Sequence, residues 1–213
     1  MEYRIYHTIK EIVKHAEDTY GSCDAVRYKT GKDTIEAKTY RQIGKDSRHF
    51  SNAIEKLGQQ GAHIALIGVT SYPWLVSYFG IVNGGSVAVP LDVALPAEEL
   101  CELMRRADVT MLVVDDIRKD VVEAAKNTCP FLQYIVSMKD LLAQNAEDIR
   151  VENTESPHAE NVKGTGTEKE IDPDALCTIM FTSGTTGKSK GVMLTQRNLA
   201  ENATCLDMKI EEN

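Results

Sequence analysis

No apolar run in the 213-residue sequence approaches the roughly 18 residues needed to span a membrane, so a transmembrane helix is not expected. The start lacks the unbroken apolar stretch of a secretory signal, because Glu2, Arg4, His7 and Lys10 interrupt it. Cysteines are few and scattered. Cys23, Cys101, Cys129, Cys177 and Cys205 are odd in number and contain no Cys-x-x-Cys pair, which excludes a disulfide framework and fits a reducing compartment. His7, His15, His49, His63 and His158 show no metal-ligand spacing with one another or with the cysteines, so no metal site is expected. Positive charge is in deficit: 24 Lys and Arg face 32 Asp and Glu, a net charge of −8. That excludes a general nucleic-acid surface, which draws on clustered Lys and Arg to displace counterions. A cytoplasmic protein is the expectation, with the acidic balance promoting solubility.

What is present is an ordinary globular composition, 42% hydrophobic, in a length that suits one to two domains at about 100–200 residues each. Ile5, Ile9, Ile12, Val13 and Ala16 recur at helical spacing and predict an amphipathic helix with a core-facing stripe. Thr39 suits the N-cap of a second helix, with Tyr40, Ile43, Phe50, Ala53, Ile54 and Leu57 inward and Gly58 at its end. A strand is expected over 63–69. Ser71 caps the next helix, Pro73 sits in its first turn and Gly84-Gly85 stop it.

A short strand over 86–89 follows, then a helix opened by Pro96-Ala97-Glu98-Glu99, with negative charge at the positive end of its dipole. Strands over 109–114 and 132–136 flank a helix over 117–126. Asp115-Asp116 reads as the end of a strand and a helix cap rather than a magnesium site. Trp74, Leu75, Tyr78, Phe79 and Val82 have core spacing, not the look of a substrate pocket. Strands alternating with helices imply an α/β fold, with a mostly parallel sheet covered by helices on both faces.

Three regions are expected: an α/β subdomain over 1–143, an exposed polar excursion over 144–173, and a strand, loop, strand and helix over 174–213. The excursion is acidic and poor in aromatics, so it has little apolar surface to offset ordering. Gly164-Thr165-Gly166 inside it lacks the third glycine and flanking elements of a dinucleotide motif.

The most informative stretch is Phe181-Thr182-Ser183-Gly184-Thr185-Thr186-Gly187-Lys188-Ser189-Lys190-Gly191. Glycines let backbone N–H groups converge on an anion, hydroxyls add neutral donors, and lysines supply positive charge, a combination suited to a polyphosphate. The apolar run over 176–181 reads as a buried strand and Val192-Met193-Leu194 as another, so the loop joins two strands at the end of a sheet. Cys177, in the first of these strands, reads as a small buried hydrophobe. Gly187-Lys188-Ser189 imitates the end of a Walker A loop, but Thr182 stands where that loop needs its first glycine, and a strand follows in place of a helix.

Thr-Ser-Gly-Thr-Thr-Gly-x-x-Lys-Gly followed by Val192-Met193-Leu194-Thr195-Gln196-Arg197-Asn198-Leu199 resembles the phosphate loop of the adenylate-forming superfamily. Thr39-Tyr40-Arg41-Gln42-Ile43 and the segment Gly80 to Asp92 are similarly laid out as in its fatty acyl-CoA synthetases. The family usually has Pro where this chain has Ser189, a change that frees φ before Lys190. The resemblance implies the N-terminal part of a larger ligase that joins a small-molecule carboxylic acid to a thiol. ATP with Mg2+ and coenzyme A would be its substrates.

In that family the adenosine pocket, a magnesium-associated glutamate and a small domain with a catalytic lysine follow the loop, so no catalytic residue is assignable here, and the missing C-terminal part would be a partner. The resemblance assigns ATP phosphate binding to Thr182, Ser183, Gly184, Thr185, Thr186, Gly187, Lys190 and Gly191, with Lys188 at a variable position. A peptide-synthetase-type adenylation domain, a non-catalytic nucleotide- or acyl-binding protein and a P-loop NTPase remain alternatives.

Overall fold

The computed structural model describes residues 5–30, 32–142, 170–182 and 189–211, with 141–142 and 205–211 by backbone alone. Helix α1 (Ile9–Tyr20) precedes an antiparallel pair, β1 (Asp24–Lys29) and β2 (Ile35–Thr39). Next come α2 (Tyr40–Lys56), β3 (His63–Ile67), α3 (Tyr72–Asn83), β4 (Val87–Leu91) and α4 (Ala97–Arg106). They are followed by β5 (Val109–Val114), α5 (Lys119–Thr128), β6 (Tyr134–Ser137), α6 (Met138–Leu142), β7 (Leu176–Thr182), β8 (Lys190–Thr195) and α7 (Gln196–Glu211). Among the described residues no helix is long and apolar enough to cross a membrane.

The larger sheet has the order β6-β5-β3-β4-β7-β8, with every described pairing parallel except β7 with β8. Strand β4 is added on one side of β3 and β5 on the other. Because parallel crossovers keep one hand, this reversal sends the connecting helices α3 and α4 to opposite faces. One face holds Leu100, Leu103 and Met104 of α4 and Val121 and Ala125 of α5 against Ala65, Ile67 and Leu112. The other holds Phe50 and Ile54 of α2 and Val76 and Ile81 of α3 against Ile64, Leu66 and Val113. Alternate residues of β3 therefore feed two cores, which is why the strand is apolar throughout.

Local chemistry explains where the elements begin and end. Thr39 Oγ1 accepts from the Gln42 amide at 3.2 Å while Gln42 Oε1 accepts from the Thr39 amide at 2.8 Å, a reciprocal cap on α2. Gly58 closes that helix at φ 68°, a conformation that costs a side chain energy. Ser71 Oγ accepts from the Trp74 amide at 3.3 Å at the start of α3. Strand β4 runs past the expected 86–89 and includes Pro90. Its tolerance has a cause: β7 meets β4 in register only at Ala88↔Thr178, so Pro90 lies where no further neighbour needs a donor.

Several expectations are corrected. Ile5 is 57% exposed and precedes α1, which buries no residue fully, so the stripe of that helix is marginal rather than central. The helix expected over 117–126 begins at Lys119, with Arg118 as N-cap and no side-chain cap. Asp115 still turns the chain, accepting from the Ile117 amide at 3.4 Å and, through its carbonyl, from Arg118 at 3.0 Å. Asp116 instead accepts from Ser137 Oγ at 2.7 Å and pairs with Lys139 at 3.0 Å, which holds its carboxyl below the usual range. In α3 the fully buried side is Tyr72, Val76, Ser77, Gly80, Ile81 and Val82; of the expected stripe only Val82 belongs to it. Trp74, Leu75, Tyr78 and Phe79 pack at its margin. The β1–β2 pair and α6 had no counterpart in the sequence reading.

Candidate functional site

The hairpin β7–β8 leaves the sheet because β7 follows β4 only briefly. Its buried part is Cys177, Thr178 and Ile179, whereas Met180 is 46% exposed, so the strand expected to be buried over 176–181 is buried only at its base. Pairing with β8 runs Thr178↔Leu194, Ile179↔Met193, Met180↔Val192, Phe181↔Gly191 and Thr182↔Lys190. Thr182 and Lys190 thus face each other at the neck of the loop. Both are exposed, and Lys190 makes no ion pair among the described residues. Ser183, Gly184, Thr185, Thr186, Gly187 and Lys188 lie outside the described residues, as does 144–169 of the polar excursion.

Gly191 has a packing reason of its own. A Cβ there would lie 3.3 Å from Ile179 Cγ2 and 3.5 Å from Phe181 Cε1, so its absence lets the Phe181 ring settle against β8.

The base of the hairpin is tied to three other elements. Gln196, buried at the start of α7, donates from Nε2 to the Val82 carbonyl at 2.8 Å and accepts at Oε1 from the Ile9 amide at 3.0 Å. Thr195 and Asn198 cap α7 reciprocally, at 3.0 and 3.2 Å. Arg197 grips Asp174 through two bonds, 2.7 and 3.0 Å, and holds that carboxyl below its usual range. Tyr78 and Thr178 share a hydroxyl bond of 2.9 Å that joins α3 to β7. Cys177 is buried, and burial pushes its thiol up, away from the nucleophilic thiolate.

Sequence reasoning missed Gln196 as an organising residue. The available signal was its position inside the Thr195–Asn198 cap, where a polar residue need not face solvent. Gln196→Ala takes one donor from the Val82 carbonyl, which the Gly85 amide also reaches at 3.3 Å, and leaves the Ile9 amide without its side-chain acceptor, so unfolding free energy should fall by about 1–3 kcal/mol. Denaturant unfolding measures this, and an unchanged midpoint at unchanged slope would contradict the tie.

A crevice of about 660 Å³ opens at the ends of β5 and β6, lined by Asp115, Asp116, Lys119, Lys126, Ser137 and Asp140 among others. None of its lining residues belongs to the hairpin, and its mixed charge favours no one ligand.

These features define an α/β protein with a mostly parallel, doubly covered sheet and a hairpin carried at its end. The chain belongs to the AMP-binding enzyme family, whose model matches residues 14–213. Long-chain-fatty-acid–CoA ligase 5 of Rattus norvegicus is 28% identical over 77% of this chain and 26% of its own length. The chloroplastic long-chain-fatty-acid–[acyl-carrier-protein] ligase AEE15 of Arabidopsis thaliana is 32% identical over 76% of this chain and 24% of its own. The chain thus spans about a quarter of the length of the curated relatives it matches. In fold it is similar to VinN, with a TM-score of 0.76 at 17% identity over 99% of this chain and 49% of that one. It is also similar to the anthranilate CoA ligase AuaEII in complex with anthranoyl-AMP, with a TM-score of 0.67 at 20% identity over 92% and 36%.

Proposed function

We propose that this chain supplies the ATP phosphate-binding part of an acid–thiol ligase that activates a fatty acid as an acyl-adenylate and passes it to coenzyme A. The observation that carries the reading is the exposed Thr182–Lys190 neck, set at the tip of the hairpin in a chain of the AMP-binding enzyme family. The names of the relatives support the substrate class. The substrate carboxylate oxygen attacks the α-phosphorus of ATP, the bond to the bridging oxygen breaks, and pyrophosphate leaves with that electron pair. A thiolate sulfur then attacks the acyl carbon, and AMP leaves.

In the first step this chain's task is positioning and charge neutralisation. Thr182, Ser183, Thr185 and Thr186 donate to the leaving phosphates, Lys190 offsets their charge, and Gly184 and Gly187 keep the backbone close. Gly191 keeps the neck narrow. Mg2+ would arrive with ATP. The 1–143 subdomain is the platform, 144–173 an excursion from it, and 174–213 the loop-bearing part.

Acid-dependent exchange of labelled pyrophosphate into ATP by the full-length protein tests this reading, with fatty acids expected to support exchange. Exchange indifferent to added acid would refute it. The 213 residues alone should give none, because the reading assigns the adenosine pocket to sequence outside them. The acyl-carrier-protein ligase among the relatives favours a carrier-bound thiol as the second reading of the acceptor. Supplying each acceptor to the preformed adenylate separates the two.

A further inference from the structure

We propose that Arg106 is a positioning residue for the phosphate loop, gripping both strands of the hairpin at its neck; the proposal rests on the phosphate-binding reading above. Arg106 is the last residue of α4, and its neighbours Leu103 and Ala107 are buried in the core against which Phe181 packs. From there its Nη2 donates to the Ser189 carbonyl at 2.6 Å, while its Cζ lies 5.4 Å from the centre of the Phe181 ring. Phe181 immediately precedes Thr182, and Ser189 immediately precedes Lys190. One guanidinium therefore holds the two residues that flank the last paired position, Thr182↔Lys190.

The contrast with its neighbour is informative. Arg105 spends its guanidinium on Glu102 one turn back, through bonds of 2.7 to 3.0 Å. Among the described residues Arg106 has no acidic partner, and its one hydrogen-bond acceptor is the Ser189 carbonyl, next to the first residue of β8. The donor is charged and the acceptor is a backbone carbonyl, so the bond orients the peptide that leads into Lys190. The planar face on Phe181 and the Gly191 gap beneath that ring keep the opposite strand in place. Lysine cannot replace this grip, because a point charge lacks the flat, forked geometry that serves ring and carbonyl together. It would, however, preserve the positive charge near the loop.

Arg106→Gln and Arg106→Lys therefore separate position from charge. Amide hydrogen exchange of the 213-residue chain is the direct readout, followed at Thr182, Lys190 and Gly191. Both variants should exchange there about five- to twentyfold faster, as expected when one charge-assisted hydrogen bond at an exposed neck is lost, with β3 and β5 unchanged. Unchanged exchange in both overturns the proposal, and acceleration in Gln but not Lys overturns it by assigning the effect to charge alone.

A parallel titration with inorganic tripolyphosphate keeps the underlying reading separate. Binding by the wild type that weakens in Lys190→Ala and in both Arg106 variants supports both claims. Binding that weakens in Lys190→Ala alone, with unchanged exchange, removes Arg106 and leaves the phosphate reading. No binding by the wild type counts against the phosphate reading, and with it against a loop-positioning role, while exchange still reports whether the grip exists.

Discussion

Lys190→Ala in the full-length protein should slow adenylate formation by on the order of 30- to 1,000-fold, the loss of about 2–4 kcal/mol typical of one well-placed transition-state donor. Lys188→Ala should have little effect. The difference comes from placement. Lys190 is paired across the hairpin with Thr182, and on the proposed reading a strand-held charge at the neck would meet the pyrophosphate as negative charge builds on it. Lys188 lies outside the described residues and occupies a variable position of the motif, and a lysine with no fixed place beside the phosphates would be screened alike in ground and transition states. Single-turnover rates at saturating ATP and acid decide the matter. Equal losses would mean that both lysines act, and a larger loss for Lys188→Ala would favour a Walker-type loop, in which the lysine after Gly187 holds the phosphates.

Phe50→Ala should lower the unfolding free energy by about 3–5 kcal/mol, the cost of removing a fully buried ring and leaving a cavity. Phe50 is 0% exposed and sits where α2 crosses α3. A Cβ placed on Gly80 would lie 2.7 Å from its Cδ1 and 2.8 Å from its Cβ, so the two helices meet through this ring over this glycine. Gly80→Ala alone should cost about 1–3 kcal/mol by overpacking. The two changes share one space and cannot be additive. The double variant should be more stable than the sum of the singles, because removing the ring relieves the contacts of the new methyl with Cδ1 and Cγ, although the one with the Cβ that alanine keeps remains. Denaturant unfolding of the four proteins closes the cycle. Additive losses would show that α2 and α3 do not meet this way.

Much of this fold was legible because its signals are local. Thr39, Ser71, Gly58 and Gly85 mark helix ends through bonds or backbone angles formed within a few residues, and Val109–Val114 is a strand because both of its faces are buried. The β1–β2 pair escaped because its charged residues interrupt the apolar pattern; none of its residues is fully buried, and Ala25, Val26 and Tyr28 pack only at the margin of one core. Asp115 and Asp116 misled for a different reason. The sequence shows two carboxylates before a helix, whereas Ser137 and Lys139, one strand away, decide what the second one does.

Residue types alone single out the loop as a candidate, yet they do not reveal the parts that hold the hairpin. Gln196 reaches Val82 across 114 residues and Arg106 reaches Ser189 across 83, and no spacing rule connects positions so far apart.

The most direct test of the account is the identity of the nucleotide product when the full-length protein consumes ATP with a fatty acid and no thiol. Attack at the α-phosphorus predicts AMP and pyrophosphate in equal amounts, formed only when acid is present, with the AMP first appearing as acyl-adenylate. ADP and inorganic phosphate, formed whether or not acid is added, would contradict it.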